Sequence, residues 1–449
     1  MCINNQKINF NTLSEQERNV VEYMKKLLCS EKNSIIQNGY YYIRNSEHER
    51  IFNEKIKDLE DKNFDSFFPL VSVVILTANK IECDSLNFIV SCKQKNSFVK
   101  KRKHNIRIIP GFNEGVAEAF LFKIHYSYIL HINAYETGSF TPGGSSDIIR
   151  FITNHKLLQP SIIISLGVCY GRNIESQNIG DVIIPKKLYP WSIGQKITKN
   201  LLEIKHDNFN LDLFSLFNKT DIYNNLKTFC DGENGKIISE RIDVKDNNGY
   251  SQRFNFKIRT YMGNMSTGEA VISSEKIKEE IRIANRNFEE IGGEMEGYGM
   301  AKECIYYSDI PCVIIKSICD WGILKNIEDV LINDGIENAK NLKDKLQTFA
   351  AFCSSLVLLK LFKEEKKTFL VTKIYKKLSS TIDGKEFLSE YDFIEKDTII
   401  KFLKEDYKIC DSEAKQILKN LIKNKIIIKT ANKTESYKFN KNITAYCKN

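Results

Sequence analysis

The decapeptide IGGEMEGYGM, residues 291–300, sets two carboxylates two positions apart, Glu294 and Glu296. Glycine, methionine and alanine surround them, which is not how a surface helix carries glutamate. Two further acids stand at the ends of apolar β-branched runs: Glu82 follows VVILTANKI, and Asp320 closes CVIIKSIC. Ligands in α/β sheets collect at the carboxyl ends of strands. Any one of these acids is explained by a helix cap. All of them at β–α junctions of one sheet point to acid–base work on a bound ligand. Gly167 and Gly171 after one apolar run, and Gly268 after another, allow close approach of backbone to a ligand. Arg172 and Lys316 add cations at the same strand ends, where a solvated or structural role is the simpler reading. TPGGSSD (141–147) offers backbone amides at a helix start for an anion; a turn with an N-cap accounts for it equally well.

These residues need a scaffold, and the pattern predicts one. PLVSVVILTA (69–78), IRIIPGF (106–112), YSYILHIN (126–133), PSIIISLGV (160–168), GDVIIP (180–185), TYMGNMSTG (260–268) and IPCVIIKSICD (310–320) have strand character. SSDIIRFITNHKL (145–157) reads as a serine-capped helix, and 199–255, rich in Asn, Asp and Lys, as a helical insertion. Strands alternating with helices imply an α/β domain over 69–362, with a mixed sheet and helices outside. Residues 1–68 form a small helical region: Ser14 and Glu17 make a capping box for a helix over 14–28, and a charged helix is expected near 47–61. DSEAKQILKNLIKNKIIIKT (411–430) reads as an amphipathic helix running into a strand, with ANKTES a turn and YKFNKN a return strand. That assigns 365–449 to a winged-helix-like module.

The formal charge of +9 is uneven. From Lys363 onward 20 Lys face 13 acidic residues, so the basic character lies in the terminal module, where nucleic acid or a partner protein could dock. Twelve cysteines without a C-x-x-C pair fit reduced thiols in a cytoplasmic protein. The six histidines show no metal-ligand spacing, and no phosphate-binding P-loop motif occurs, so neither a metal nor a cofactor is expected. FAAFCSSLVLLKLF (349–362) is too short to span a bilayer and reads as a core helix, so no membrane role is expected.

Over roughly 70–360 the chain resembles the purine nucleoside phosphorylase and nucleosidase superfamily, and within it the methylthioadenosine/S-adenosylhomocysteine nucleosidase branch. GGEMEG resembles the family's Glu-Met-Glu element and SICDWG its Ser-Asp. SLGVCYGRNIESQNIGDVIIP resembles its glycine-rich strand end, and STGEAVI its base-pocket strand. The resemblance implies hydrolysis of a purine–ribose bond, with adenine the expected base, by a homodimer or larger homo-oligomer. It implies that Asp320 protonates the base at N7, its pKa raised by burial, and that Glu82 activates water. Glu296 would hold the ribose hydroxyls, with Met295 against the sugar and Glu294 in support. Ala78, Gly167, Val168, Val271 and Ile272 would complete the substrate site.

Some positions depart from the family. Val271 replaces an aromatic that stacks on the base, and Val168 a serine. Cys319 stands before the acid where serine is usual, and Lys316 where arginine is common. These weaken the alternative of a phosphate-dependent phosphorylase, although Arg172 and Lys316 remain possible phosphate ligands and favour a phosphorylated substrate. A non-catalytic nucleotide-sensing regulator that binds nucleic acid through its C-terminal domain is the other alternative. Nucleosidase domains with accessory modules also resemble antiphage effectors that strip adenine from nucleotides.

Overall fold

The computed structural model describes residues 13–44, 64–93, 100–107, 116–124, 127–134, 138, 143–191, 195–198, 201–204, 210–217, 221–230, 235–245, 251–268, 272, 274–284, 289–308, 310–324, 326–370, 393–423, 427–430 and 436–439. The chain opens with α1 (Glu15–Leu28) and α2 (Glu31–Arg44). Ser14 and Glu17 close the expected capping box on α1. The helix expected near 47–61 falls outside the described residues, and α2 was not foreseen. After a 3-10 turn over 65–70 come β1 (Val71–Thr77), α3 (Lys80–Lys93), β2 (Lys100–Arg107), β3 (Val116–Ile124) and β4 (Ser127–Asn133). Then follow α4 (Ser145–Asn154), β5 (Ile162–Gly171), β6 (Val182–Pro190), β7 (Gln195–Thr198) and β8 (Leu201–Ile204).

The supposed helical insertion is largely strand. Beyond β9 (Leu211–Asp212), α5 (Leu213–Leu216) and α6 (Asp221–Phe229), it forms β10 (Lys236–Lys245), paired in antiparallel register with β11 (Ser251–Thr267). The physical reason is alternation: Ile238, Ile242, Val244, Phe254, Phe256 and Ile258 are buried while Ser239, Arg241 and Lys257 between them are exposed. The domain continues through α7 (Glu275–Ala284), β12 (Glu290–Glu294), α8 (Gly297–Tyr307), β13 (Cys312–Asp320), α9 (Ile327–Asn333), α10 (Leu342–Glu364) and α11 (Lys366–Leu370).

One 11-stranded sheet carries the domain, in the order β10-β11-β6-β13-β5-β1-β4-β3-β2, with β12 and β9 attached off this path. Its centre is parallel: β5 lies between β1 and β13, which is why VVIL, III and CVII read as continuous apolar runs. Strand β12 pairs with both β11 and β5, so β5, β13, β6, β11 and β12 close into a ring. Helix α10 packs along α3, β13 and β5. It is 23 residues long, longer than the 14-residue window suggested, and by length and composition it could cross a membrane. Yet 83% of its most apolar window is buried inside the fold, with Phe352, Leu356, Val357 and Leu358 in the core.

The terminal module contains β14 (Ile394–Glu395), α12 (Lys396–Tyr407), α13 (Asp411–Lys423), β15 (Ile427–Lys429) and β16 (Ser436–Phe439). The strands form their own sheet, in the order β14-β16-β15. Helix α13 leans on the 3-10 turn before β1, so the module is packed against the nucleosidase-like part.

Candidate active site

The site is built where β1, β5 and β13 end. Glu82 lies in the first turn of α3, beside the end of β1, and is 3% exposed. Asn79 Oδ1 accepts from the Glu82 amide at 3.0 Å, which starts the helix. The Glu82 carboxylate then spans two strands: Oε2 accepts from Ala78 N at 2.8 Å and Oε1 from Val168 N at 2.9 Å. So the backbones of Ala78 and Val168 grip the acid. Gly167 has the same purpose. A Cβ there would sit 2.2 Å from Glu82 Oε1, so the glycine makes room for a carboxylate where sequence reasoning expected room for a ligand.

Strand β12 and helix α8 supply the acids of GGEMEG, and the fold separates their tasks. Glu294 is buried, and its Oε2 accepts from Glu296 N at 2.8 Å and Gly297 N at 2.7 Å. It ties the turn that starts α8. Glu296, half-buried, stands at the N-cap position of that helix, where its side chain makes no cap bond, and lines a small, partly open pocket. Leu76, Thr77, Ala78, Ser145, Ile148 and Ser165 are among its other walls. Met295 stands beside it, also half-buried.

Lys316, fully buried on β13, joins the acids. Its Nζ lies 2.8 Å from Glu296 Oε2 and 3.7 Å from Glu294 Oε2. Burial alone would lower its pKa, but Glu296, Glu82 and Glu294 outweigh that and hold the ammonium above the ordinary lysine value. Burial raises the Glu82 and Glu294 carboxyls, opposed in each by Lys316. A Glu82 carboxyl raised by burial is a stronger base than a solvated glutamate, which suits it to take a proton from water.

Asp320 ends β13 and is half-buried, less enclosed than expected. Its Oδ1 accepts from Gly322 N at 2.7 Å, in a turn that needs glycine because φ at 322 is +66°. Cys169 on β5, in register with Ile318 of β13, has its thiol pushed up by burial and feels Lys316, Asp320, Glu294 and Glu82 together.

Other expected residues are placed differently. Arg172 is held by Glu275 at 2.9 Å and Glu279 at 2.5 Å, and Lys316 is engaged as above. Ile272 is buried; Val271 falls outside the described residues. Helix α4 is not capped by a serine: Gly144 is the N-cap, and Ser145 Oγ instead donates to Glu296 O at 2.7 Å. Sequence reasoning did not assign Ser145, Ser165 or Thr77 to the cavity. TPGGSSD was the available signal, but serines before a helix are too common to locate a site.

No protein-family model matches the chain. A death domain-containing ATP nucleosidase from Amphimedon queenslandica is 26% identical over 189 residues, 38% of this chain. The chain resembles the purine nucleoside phosphorylase and nucleosidase superfamily. The matched stretch spans 31% of the length of that curated relative. Among solved structures, the 5′-methylthioadenosine/S-adenosylhomocysteine nucleosidase of Helicobacter pylori aligns at 16% identity and a TM-score of 0.40, covering 66% of this chain and 99% of that one. Futalosine hydrolase of Helicobacter pylori aligns at 14% identity and 0.40, covering 66% and 98%. The nucleosidase of Neisseria meningitidis aligns at 15% and 0.40, covering 66% and 100%.

Proposed function

We propose that this chain hydrolyses the N-glycosidic bond of an adenine nucleoside or nucleotide. The observation that carries the reading is the Glu82 carboxylate, buried, locked to two strand ends and electrostatically coupled to Lys316 and Glu296. Glu82 takes a proton from water as that water attacks the anomeric carbon. Glu296 holds the ribose hydroxyls, and Met295 covers the sugar. Asp320 gives a proton to the leaving base, which accumulates negative charge as the bond breaks.

Water is favoured over phosphate for a structural reason. A phosphorolytic site needs donors for an anion. Here valine stands at 168, Arg172 already serves two glutamates and Lys316 serves Glu296. The same engagement removes the argument for a phosphorylated substrate from these two cations. Support for a nucleotide rests instead on likeness to a relative named as an ATP nucleosidase.

The decisive assay incubates the chain with a panel of adenine and guanine nucleosides and nucleotides, with and without phosphate. Chromatography should show free adenine and a ribose or ribose phosphate without added phosphate. Base release that requires phosphate and yields a 1-phosphorylated sugar overturns the reading. The two helices and three-stranded sheet described within 365–449 support a winged-helix assignment for that module, as a docking unit. We read the whole as a cytoplasmic homo-oligomer that depletes nucleotides in antiviral defence. A fall in the cellular ATP pool after phage challenge, abolished by Asp320→Asn, tests that role.

A further inference from the structure

Helix α1 belongs to the N-terminal region, to which the proposed reaction assigns no task. It nevertheless touches the residue next to the candidate acid. The Tyr23 ring meets the Trp321 indole edge-on, with centroids 5.4 Å apart and planes at 85°. Trp321 directly follows Asp320 and is 3% exposed. Its indole Nε1 is buried with no hydrogen-bond partner among the described residues, so packing and not a hydrogen bond sets the ring. The packing comes from two sides: Tyr23, and Gly171 on β5, where a Cβ would lie 2.7 Å from Trp321 Cζ3. The backbone of the same turn is fixed separately, by Lys278 Nζ donating to Trp321 O at 2.8 Å and by the Gly322 amide on Asp320 Oδ1.

Tyr23 also reaches β13 by a second route. Its Oη accepts from Ile179 N at 3.0 Å. The next two residues bind the strand that carries Asp320: Gly180 N donates to Ile318 O, and Ile318 N to Asp181 O, each at 2.8 Å. Helix α1 is itself anchored away from the turn, through Lys25 on Asp334 at 2.6 Å. A shift of α1 would therefore be felt at both the indole and the loop that borders β13.

We propose that Tyr23 is a positioning residue for Asp320, acting through Trp321, so that the docking of α1 sets the competence of the acid. This rests on the reading of Asp320 as the proton donor. The N-terminal region thereby becomes a control element: whatever moves α1 changes turnover without touching the ribose grip at Glu296. Proton delivery is sensitive to geometry, since a misplacement near 1 Å can cost about 10²-fold.

The test uses the full chain and whichever nucleoside or nucleotide the wild type cleaves. Tyr23→Leu keeps apolar bulk but removes the ring edge and the hydroxyl; Tyr23→Phe keeps the ring. Thermal melting verifies that both are folded. Tyr23→Leu is expected to lower kcat by roughly 10-fold to 10²-fold with KM within about twofold of wild type, and Tyr23→Phe to restore most of kcat. An unchanged kcat in folded Tyr23→Leu overturns the proposal. So does a rise in KM matching the fall in kcat, or an equal loss in Tyr23→Phe. A wild type that releases no base from any substrate defeats the functional reading itself, a separate result.

Discussion

At the scale of single residues, the acids divide by what holds them. Glu294 grips backbone amides, Glu296 faces the cavity, Glu82 bridges two strands and Asp320 stands on a glycine turn. Asp320→Asn should lower base release by about 10²–10⁴-fold with the melting temperature unchanged, because the amide has no proton to give. Activity near wild type would remove Asp320 from the reaction. Glu294→Gln tests the burial of charge. The folded protein holds this proton more tightly than the unfolded chain, whose ordinary value is 4.5. The resulting stability is full below that value and is lost as pH rises through the raised folded value. Glutamine stays neutral and can keep both amide bonds through its carbonyl oxygen. The variant should therefore melt above wild type at neutral pH, by roughly 2–4 °C for each 1 kcal/mol, and the gap should close toward pH 4. A gap that widens on acidification would contradict the raised value.

At the scale of elements, the strand ends matter through their backbones. The β1 and β5 ends hold Glu82 only because position 167 lacks a Cβ. Gly167→Ala should expel the carboxylate from its two amides while leaving the sheet paired, and should cost about 10²-fold or more in turnover, as loss of a general base does. A crystal structure showing Glu82 still between Ala78 N and Val168 N, with full activity, would refute this. The sequence made β1, β5 and β13 legible because strands buried on both faces read as apolar runs. It hid β10 and the first part of β11 under an Asn- and Lys-rich composition, since a half-buried hairpin needs only alternate apolar residues, while the rest of β11 lies in the expected strand 260–268. The capping box on α1 was legible because its four residues contain the whole interaction. The serine cap expected on α4 failed because Ser145 found a distant acceptor, Glu296 O, 151 positions away.

At the scale of the molecule, the terminal module turns an exposed lysine face outward. Lys415, Lys419 and Lys423 lie on exposed positions of α13, and Lys429 on β15. Lys415 is partly neutralised by Asp411 at 2.6 Å. If this face reads nucleic acid, a gel shift by the full chain at about 50 mM salt should weaken steeply by 200 mM, and Lys419→Ala with Lys423→Ala should lessen the salt slope by about 2. A folded chain giving no shift at the lower salt leaves a partner protein as the occupant of the module.

The sequence by itself determined the α/β character, the strands that carry the acids, and which residue types could do proton chemistry. These follow from local periodicity and from residue identity, which need no knowledge of distant neighbours. Only the tertiary structure decided how the acids share work. Lys316 lies 20 residues from Glu296 and 22 from Glu294, and Val168 lies 86 from Glu82, yet each pair meets. It also decided that Arg172 is already paired, and that Tyr23 of the N-terminal region packs on Trp321 at the end of β13. Such pairings depend on which strands lie side by side, and strand order is a property of the whole sheet that no local pattern encodes.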